Sequence, residues 1–263
     1  MITTETIIEM KKNKEKIACL TAYDYPTARI LDMAGIDIIL VGDSAANVVA
    51  GEKNTLPITM EEMLYHTKIV ARAVKNALVI ADMPFLSYQG RTDDAVYNAG
   101  KFLKVGAAGV KMEGAGPILK KIERCVQLGI PVMGHLGLTP QSIHKFGGYK
   151  LRGKTPKEAK KIYSDAKELE SAGCFSIVLE KIPMGLAKRI TRVLSIPTIG
   201  IGAGPYCDGQ ILVLHDMLGL YEDFTPKFVK RYANIGESIR DAVSKYIKEV
   251  KGGTFPDETH SFR

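Results

Sequence analysis

The sequence predicts an α/β fold: a single (β/α)8 barrel of the TIM type with an N-terminal helix and a long C-terminal helix. Three observations predict it. Eight short apolar runs rich in Ile, Val and Ala recur along the chain, helical patterns separate most of them, and ionisable residues follow the runs. Near-continuous apolar runs, rather than strict alternation, mark strands buried on both faces. Strands alternating with helices make a parallel sheet with right-handed crossovers. Eight such units in 263 residues favour a closed barrel over an open doubly wound sheet. No linker, repeat or low-complexity segment interrupts them, so residues 1–263 are expected to form one catalytic domain.

The first run, 17–22 (IACLTA), is followed by a helix over 25–34 that Gly35 closes as a C-cap. The second run is 36–41 (IDIILV). The helix after it spans 59–75, where Thr59 precedes Glu61 and Glu62, acidic residues well placed for the helix dipole. The third run, 77–81 (ALVIA), leads to a helix over 93–105 ending at Gly106. The fourth, 108–112 (AGVKM), leads to a helix over 117–128 that opens on Pro117 and ends at Gly129. The fifth, 130–133 (IPVM), precedes a long helix over 155–172 with Thr155 as N-cap. The sixth, 174–179 (CFSIVL), precedes a helix over 183–194. The seventh, 197–201 (PTIGI), and the eighth, 211–214 (ILVL), are joined by residues 202–210, too few for an ordinary crossover helix. A short helical turn or a displaced helix is expected there. A long amphipathic helix over 225–250 closes the series. Its apolar stripe (Phe228, Ala233, Ile235, Ile239, Val243, Ile247) exceeds what one barrel flank needs and points to assembly.

Composition narrows the function. Hydrophobic residues at 46% and charged residues at 25% exclude a largely disordered chain. No apolar run approaches the ~20 residues of a membrane helix, and the N-terminal segment lacks a signal-peptide pattern. Cys19, Cys125, Cys174 and Cys207 lie far apart without a C-x-x-C pair, which argues against a zinc ribbon and suits a cytoplasmic protein. The net charge of +7 is read as solvated lysine faces at 11–16 and 154–161. Without an aromatic-and-basic stripe, nucleic acid is not expected as a partner.

In a parallel barrel the active site forms at the C-terminal rim. Asp24, Asp43 and Asp82 follow the first three runs, and Lys111 and Glu113 end the fourth. His135 follows the fifth and Glu180 the sixth; Gly200, Gly202 and Gly204 surround the end of the seventh, and His215 and Asp216 follow the eighth. Asp43 and Asp82 come from neighbouring strands, and two such carboxylates are costly unless a cation lies between them. With oxygen donors, Mg²⁺ is the first choice, and Glu113 could hold one of its waters. The alternative is that Asp43 caps backbone amides in a G-D-S turn. Glu180 emerges from an apolar wall, surroundings that suit a carboxylate base acting on carbon. Lys111 is read either as the partner of an anionic substrate or as a Schiff-base nucleophile. His135 is read as a donor to a substrate oxygen or as a satisfied core residue. The GIGAG stretch fits a phosphate cradle, a tight turn, or a close approach by a flat ligand.

VGDS at 41–44, ADMPFLSYQ at 81–89, VKMEG at 110–114, GHLGLTPQS at 134–142, GGYK at 147–150, GIGAG followed by DGQILVLHD, and the terminal FP…HSF resemble the ketopantoate hydroxymethyltransferase family, in order and over nearly the whole chain. One departure stands out: GDSAAN at 42–47 replaces the usual G-D-S-L-G, which leaves the backbone freedom of that loop in question. The resemblance implies a (β/α)8 barrel in large homo-oligomers, commonly decamers of stacked pentamers. It implies Mg²⁺ held by Asp43 and Asp82 with Glu113 nearby, and substrate contacts from Asp43, Ser44, Asp82, Lys111 and His135. It also implies Glu180 as the base. The implied reaction moves a one-carbon unit from 5,10-methylenetetrahydrofolate to 3-methyl-2-oxobutanoate through a Mg-stabilised enolate, giving 2-dehydropantoate on the route to pantothenate. A metal-dependent 2-oxo acid aldolase or lyase of the pyruvate and phosphoenolpyruvate barrel type would share the acidic pair without folate. A barrel that only binds a metabolite would have no need of Glu180.

Overall fold

The computed structural model describes residues 1–222 and 226–262. It divides into two compact units, Met1–Val213 and Leu214–Arg263. In the first, eight parallel strands close in sequence order, β8 pairing back onto β1. They are β1 (Ile17–Thr21), β2 (Ile38–Val41), β3 (Leu78–Asp82), β4 (Gly109–Glu113), β5 (Val132–Gly137), β6 (Ser176–Glu180), β7 (Thr198–Ile201) and β8 (Gly209–Leu212). The helices are α1 (Thr4–Lys12), α2 (Tyr25–Met33), α3 (Ala45–Val48), α4 (Met60–Ala73), α5 (Thr92–Lys104), α6 (Leu119–Gln127), α7 (Ile143–Phe146), α8 (Pro156–Ser171) and α9 (Met184–Val193).

The apolar runs became strands because both of their faces are covered. Ile38, Leu40, Leu78, Ile80, Met133, Val178, Ile199 and Ile211 fill the barrel, joined by Ile7 from α1. That contact sets α1 across the amino-terminal mouth, where Lys11 Nζ donates to Asp208 Oδ2 and the Thr191 carbonyl, both at 2.9 Å. The opposite mouth is left to polar side chains. Thr59 and Glu62 form the capping box that starts α4, and Thr155 caps α8 as the sequence predicts.

Several elements differ from expectation. No helix joins β7 to β8: residues 202–208 form turns and bends only. Seven extended residues reach roughly 23–25 Å, enough to recross a short barrel without one. β8 lies two residues earlier than the run at 211–214, because Leu214 already opens α10 (Leu214–Met217). The helix expected over 117–128 begins as a 3-10 turn, Gly116–Ile118. The loop GDSAAN is partly helical: α3 takes up its alanines, Ala45 and Ala46 are buried, and none of residues 45–47 has a positive φ. The usual glycine is therefore not required there.

The second unit holds α10 and α11 (Ile235–Lys251), followed by a 3-10 turn, Glu258–His260. The long helix expected over 225–250 begins only at Ile235. Thr225 lies outside the described residues. Between 226 and 234 the backbone is engaged elsewhere: Tyr232 N donates to Met217 O at 2.8 Å and Ile235 N to Leu218 O at 2.9 Å.

Candidate active site

Strand register assembles the site. β3 and β4 pair with Asp82 opposite Lys111, and β4 and β5 pair with Glu113 opposite His135. Lateral partners on a parallel sheet share a face, so two acid–base couples stand side by side. Lys111 Nζ lies 2.8 Å from Asp82 Oδ1 and 3.9 Å from Glu113 Oε1, while His135 Nδ1 lies 3.2 Å from Glu113 Oε1. β6 adds Glu180, whose Oε2 is 3.2 Å from His135 Nε2. Gly137 makes that approach possible. Its φ is +95°, and a Cβ there would sit 2.2 Å from the Glu180 carbonyl, which accepts from Leu138 N at 2.8 Å. Asp43 arrives from the end of β2, its backbone N–H donating to Asp82 Oδ2 at 2.9 Å. Asp43, Asp82, Lys111, Glu113 and His135 are all buried. Glu180 is the most open of the paired residues, with 16% of its side chain exposed, so its apolar wall is only partial.

The charges are crowded. Four carboxyls face two cationic side chains, an excess of two negative charges if all ionise. Burial, then Asp82 and Glu113, push the Asp43 carboxyl well above the usual carboxylate range. Burial opposes the charge on Lys111, but Asp82, Glu113 and Asp43 outweigh it and hold the ammonium protonated. Burial likewise opposes ionisation of Glu113; His135, Lys111 and the Gln141 amide outweigh it and hold that carboxyl below its ordinary value. For His135, burial and Lys111 disfavour protonation, and Glu113 and Glu180 still push its pKa up to about 9. An imidazolium cannot accept from Lys111, so their 3.2 Å approach is a contact between cations and not a hydrogen bond in that state.

The structure adds residues that the motifs contain but sequence reasoning passed over. Tyr23, fully buried after β1, shares a 2.8 Å hydrogen bond with Ser44 Oγ. Gln141 Nε2 donates to Asp43 Oδ2 at 3.0 Å, and its backbone N–H donates to Glu113 Oε2 at 3.0 Å. Tyr88 donates to Gln141 Oε1 at 2.8 Å. The available signal was their place inside the strings ADMPFLSYQ and GHLGLTPQS. Two other candidates have local structural roles. Asp24 is the N-cap of α2, accepting from Thr27 N and Oγ1 at 2.9 Å. Gly204 packs against α9, where a Cβ would sit 2.4 Å from Met184 Cβ, the tight-turn reading of GIGAG. His215 and Asp216 belong to α10 of the second unit.

The donor chemistry fits a hard divalent cation. Asp82 Oδ1, Glu113 Oε1 and His135 Nε2 are buried with no aligned hydrogen bond; their contacts are ion pairs by distance alone. Among the described residues no three His, Cys, Asp or Glu side chains form a closed cage. Mg²⁺ asks for less, since it takes one or two carboxylates and keeps its waters.

The family model described as ketopantoate hydroxymethyltransferase matches residues 1–258. The chain belongs to that family. It is 57% identical over 261 residues to the 3-methyl-2-oxobutanoate hydroxymethyltransferase of Caldicellulosiruptor saccharolyticus, covering 99% of each. It is 59% identical over 262 residues to the enzyme of the same name from Clostridium botulinum (strain Langeland), covering 99% of this chain and 95% of that one. Among solved structures, phosphonopyruvate hydrolase in complex with oxalate and Mg²⁺ superposes with a TM-score of 0.63 at 13% identity, covering 99% of this chain and 93% of that one. A 2,3-dimethylmalate lyase of the PEP mutase/isocitrate lyase superfamily superposes with a TM-score of 0.63 at 17% identity, covering 99% and 92%. At such identities these two establish the barrel fold and no more.

Proposed function

We propose that this family member transfers a hydroxymethyl group from 5,10-methylenetetrahydrofolate to 3-methyl-2-oxobutanoate, giving 2-dehydropantoate, with Mg²⁺ as cofactor. The observation that carries the reading is the buried row Asp82–Lys111 and Glu113–His135 with the more open carboxylate of Glu180 at its edge. Asp43 and Asp82 would hold the cation, with Glu113 beside them. When bound, Mg²⁺ supplies Lewis-acid stabilisation of negative charge on the substrate oxygens.

The chain's own residues supply the rest. Lys111, kept as an ammonium, and Ser44, oriented by Tyr23, hold the substrate carboxylate. A lysine held charged is a poor nucleophile, which counts against the Schiff-base alternative. His135 donates to a substrate oxygen. Glu180 removes the proton from the carbon beside the keto group. Water cleaves the two methylene–nitrogen bonds of the folate donor, releasing tetrahydrofolate and leaving the one-carbon unit at the aldehyde level. The deprotonated carbon adds to that unit, whose oxygen takes a proton to become the hydroxyl. The test is product formation: 2-dehydropantoate should appear from the two substrates with Mg²⁺ and vanish with chelator. No product under any divalent ion, with cleavage or condensation of another 2-oxo acid, would favour the aldolase or lyase reading.

The four free, buried cysteines support a cytoplasmic, reducing location. Among the described residues no helix is long and apolar enough to cross a membrane. A decamer is the form that the family resemblance implies, and assembly into a homo-oligomer is supported by α11. None of its residues is buried, and Ile239, Val243 and Ile247 are 48%, 49% and 44% exposed along one stripe. Sedimentation of the full chain should give a large oligomer, and Val243→Glu with Ile247→Glu should dissociate it; a monomer at micromolar concentration refutes the assignment.

A further inference from the structure

Gln141 sits nearly buried in the turn that follows β5. Its side-chain amide makes four hydrogen bonds. Nε2 donates to Asp43 Oδ2 at 3.0 Å and to the Met83 carbonyl at 2.9 Å. Oε1 accepts from the Tyr88 hydroxyl at 2.8 Å and from Gln89 Nε2 at 3.0 Å. Only one orientation of the amide satisfies this set. The Met83 carbonyl can only accept, so the NH₂ group must face it. Tyr88 Oη accepts the Glu113 backbone N–H at 2.9 Å, which leaves its own proton for Gln141 Oε1. The backbone N–H of Gln141 meanwhile donates to Glu113 Oε2 at 3.0 Å. One residue therefore grips two carboxylates from different strands, one with its side chain and one with its main chain.

We propose that Gln141 is a positioning residue of the site: locked by Tyr88, it fixes the orientation of the Asp43 and Glu113 carboxylates from behind. The functional consequence rests on the metal reading above, while the cause rests on hydrogen-bond geometry alone. Groups that orient metal ligands typically change affinity by about 10–100-fold when removed. The amide is required for this service, because a carboxylate in its place would set an acceptor against both Asp43 Oδ2 and the Met83 carbonyl.

The test replaces Gln141 by Met, similar in length but without donors, and measures Mn²⁺ binding by calorimetry and electron paramagnetic resonance on the full chain. Gln141→Met should raise the Mn²⁺ Kd by about 10–100-fold with the circular dichroism spectrum unchanged. Tyr88→Phe should weaken binding in the same direction by less. The double variant should fall short of the sum of the two single effects, because part of the effect of Tyr88 runs through Gln141 and the rest through the Glu113 backbone N–H. Unchanged affinity in Gln141→Met, alongside loss in Asp43→Asn, overturns the proposal and leaves the metal reading standing. Absence of Mn²⁺ binding by the unaltered protein fails the metal reading instead. A crystal structure of metal-free Gln141→Met then decides: an Asp43 carboxylate turned away or split between two rotamers supports the proposal, and an unmoved one overturns it. Should Gln141→Met not fold, Tyr88→Phe is read by the same two measurements.

Discussion

The two ends of the barrel treat their carboxylates in opposite ways. At the amino-terminal end, Asp32 accepts the backbone N–H groups of Lys75, Asn76 and Ala77 at 3.0, 2.9 and 2.8 Å. Asp37 accepts from Ala18 N at 2.8 Å, Glu170 from Ser195 N at 2.6 Å, and Asp208 from Thr198 N at 2.8 Å. Each fastens the loop entering a strand. At the other end, Asp82 takes one backbone N–H from Asp43, Glu113 takes one from Gln141, and their remaining neighbours are side chains and one another. The consequence shows in the directions of the pKa shifts. Burial works against ionisation of Asp32, yet its backbone donors outweigh it and hold the carboxyl below the usual range; burial and like charges drive Asp43 well above it. One end spends its acids on stability, and the other keeps them in conflict for a ligand to resolve.

The largest expected effect belongs to the open edge of the rim. Glu180→Gln should lower kcat by about 10²–10⁴-fold and abolish deuterium exchange at the substrate carbon. Thermal stability should fall modestly, through the lost pairing with His135, since Glu180 fastens no loop. Exchange at the unaltered rate would remove Glu180 from the role of base.

Next come two substitutions predicted to differ in sign. Asp32→Ala strands three backbone donors and should cost about 2 kcal/mol in urea unfolding at neutral pH. Because the folded pKa of Asp32 is depressed, that contribution is present above the ordinary carboxylate range and is lost as pH falls through the folded value. Asp43→Asn relieves a buried like-charge conflict and should stabilise the metal-free protein by about 1 kcal/mol while impairing activity. If both variants destabilise equally, the contrast between the two ends is wrong.

The legible part of this molecule follows the same division. Strand positions could be read because fully buried parallel strands are continuous apolar runs, and the rim acids because each stands just past such a run, as in IILVGD and LVIAD. Register could not be read, and it is register that sets Asp82 against Lys111 and Glu113 against His135. Tyr88 and Gln141 stayed hidden for a related reason: their roles depend on loops far apart in sequence converging behind the strand ends. The helix expected to begin near residue 225 failed because its pattern was amphipathic before its backbone was free to be helical, as the bond from Tyr232 N to Met217 O shows. Amphipathic spacing reports which face is apolar, not where hydrogen bonds run.

The smallest predicted effect concerns His135, and it tests the charge balance of the rim directly. With a pKa pushed up to about 9 by Glu113 and Glu180, the imidazole of the metal-free protein should be doubly protonated at neutral pH and titrate near 9 by nitrogen NMR. A pKa raised above its ordinary value of 6.5 means stability fully present below about 6.5 and lost as pH rises through about 9. Glu180→Gln should lower the midpoint, since it removes one of the two carboxylates that hold the proton. A neutral ring at neutral pH would carry a different meaning. Nδ1 could then accept from Lys111 at 3.2 Å, the rim would have one cation instead of two, and four carboxyls would press on it alone. In that case a divalent ion would have still more charge to neutralise, and removing it would destabilise the rim rather than leave it poised.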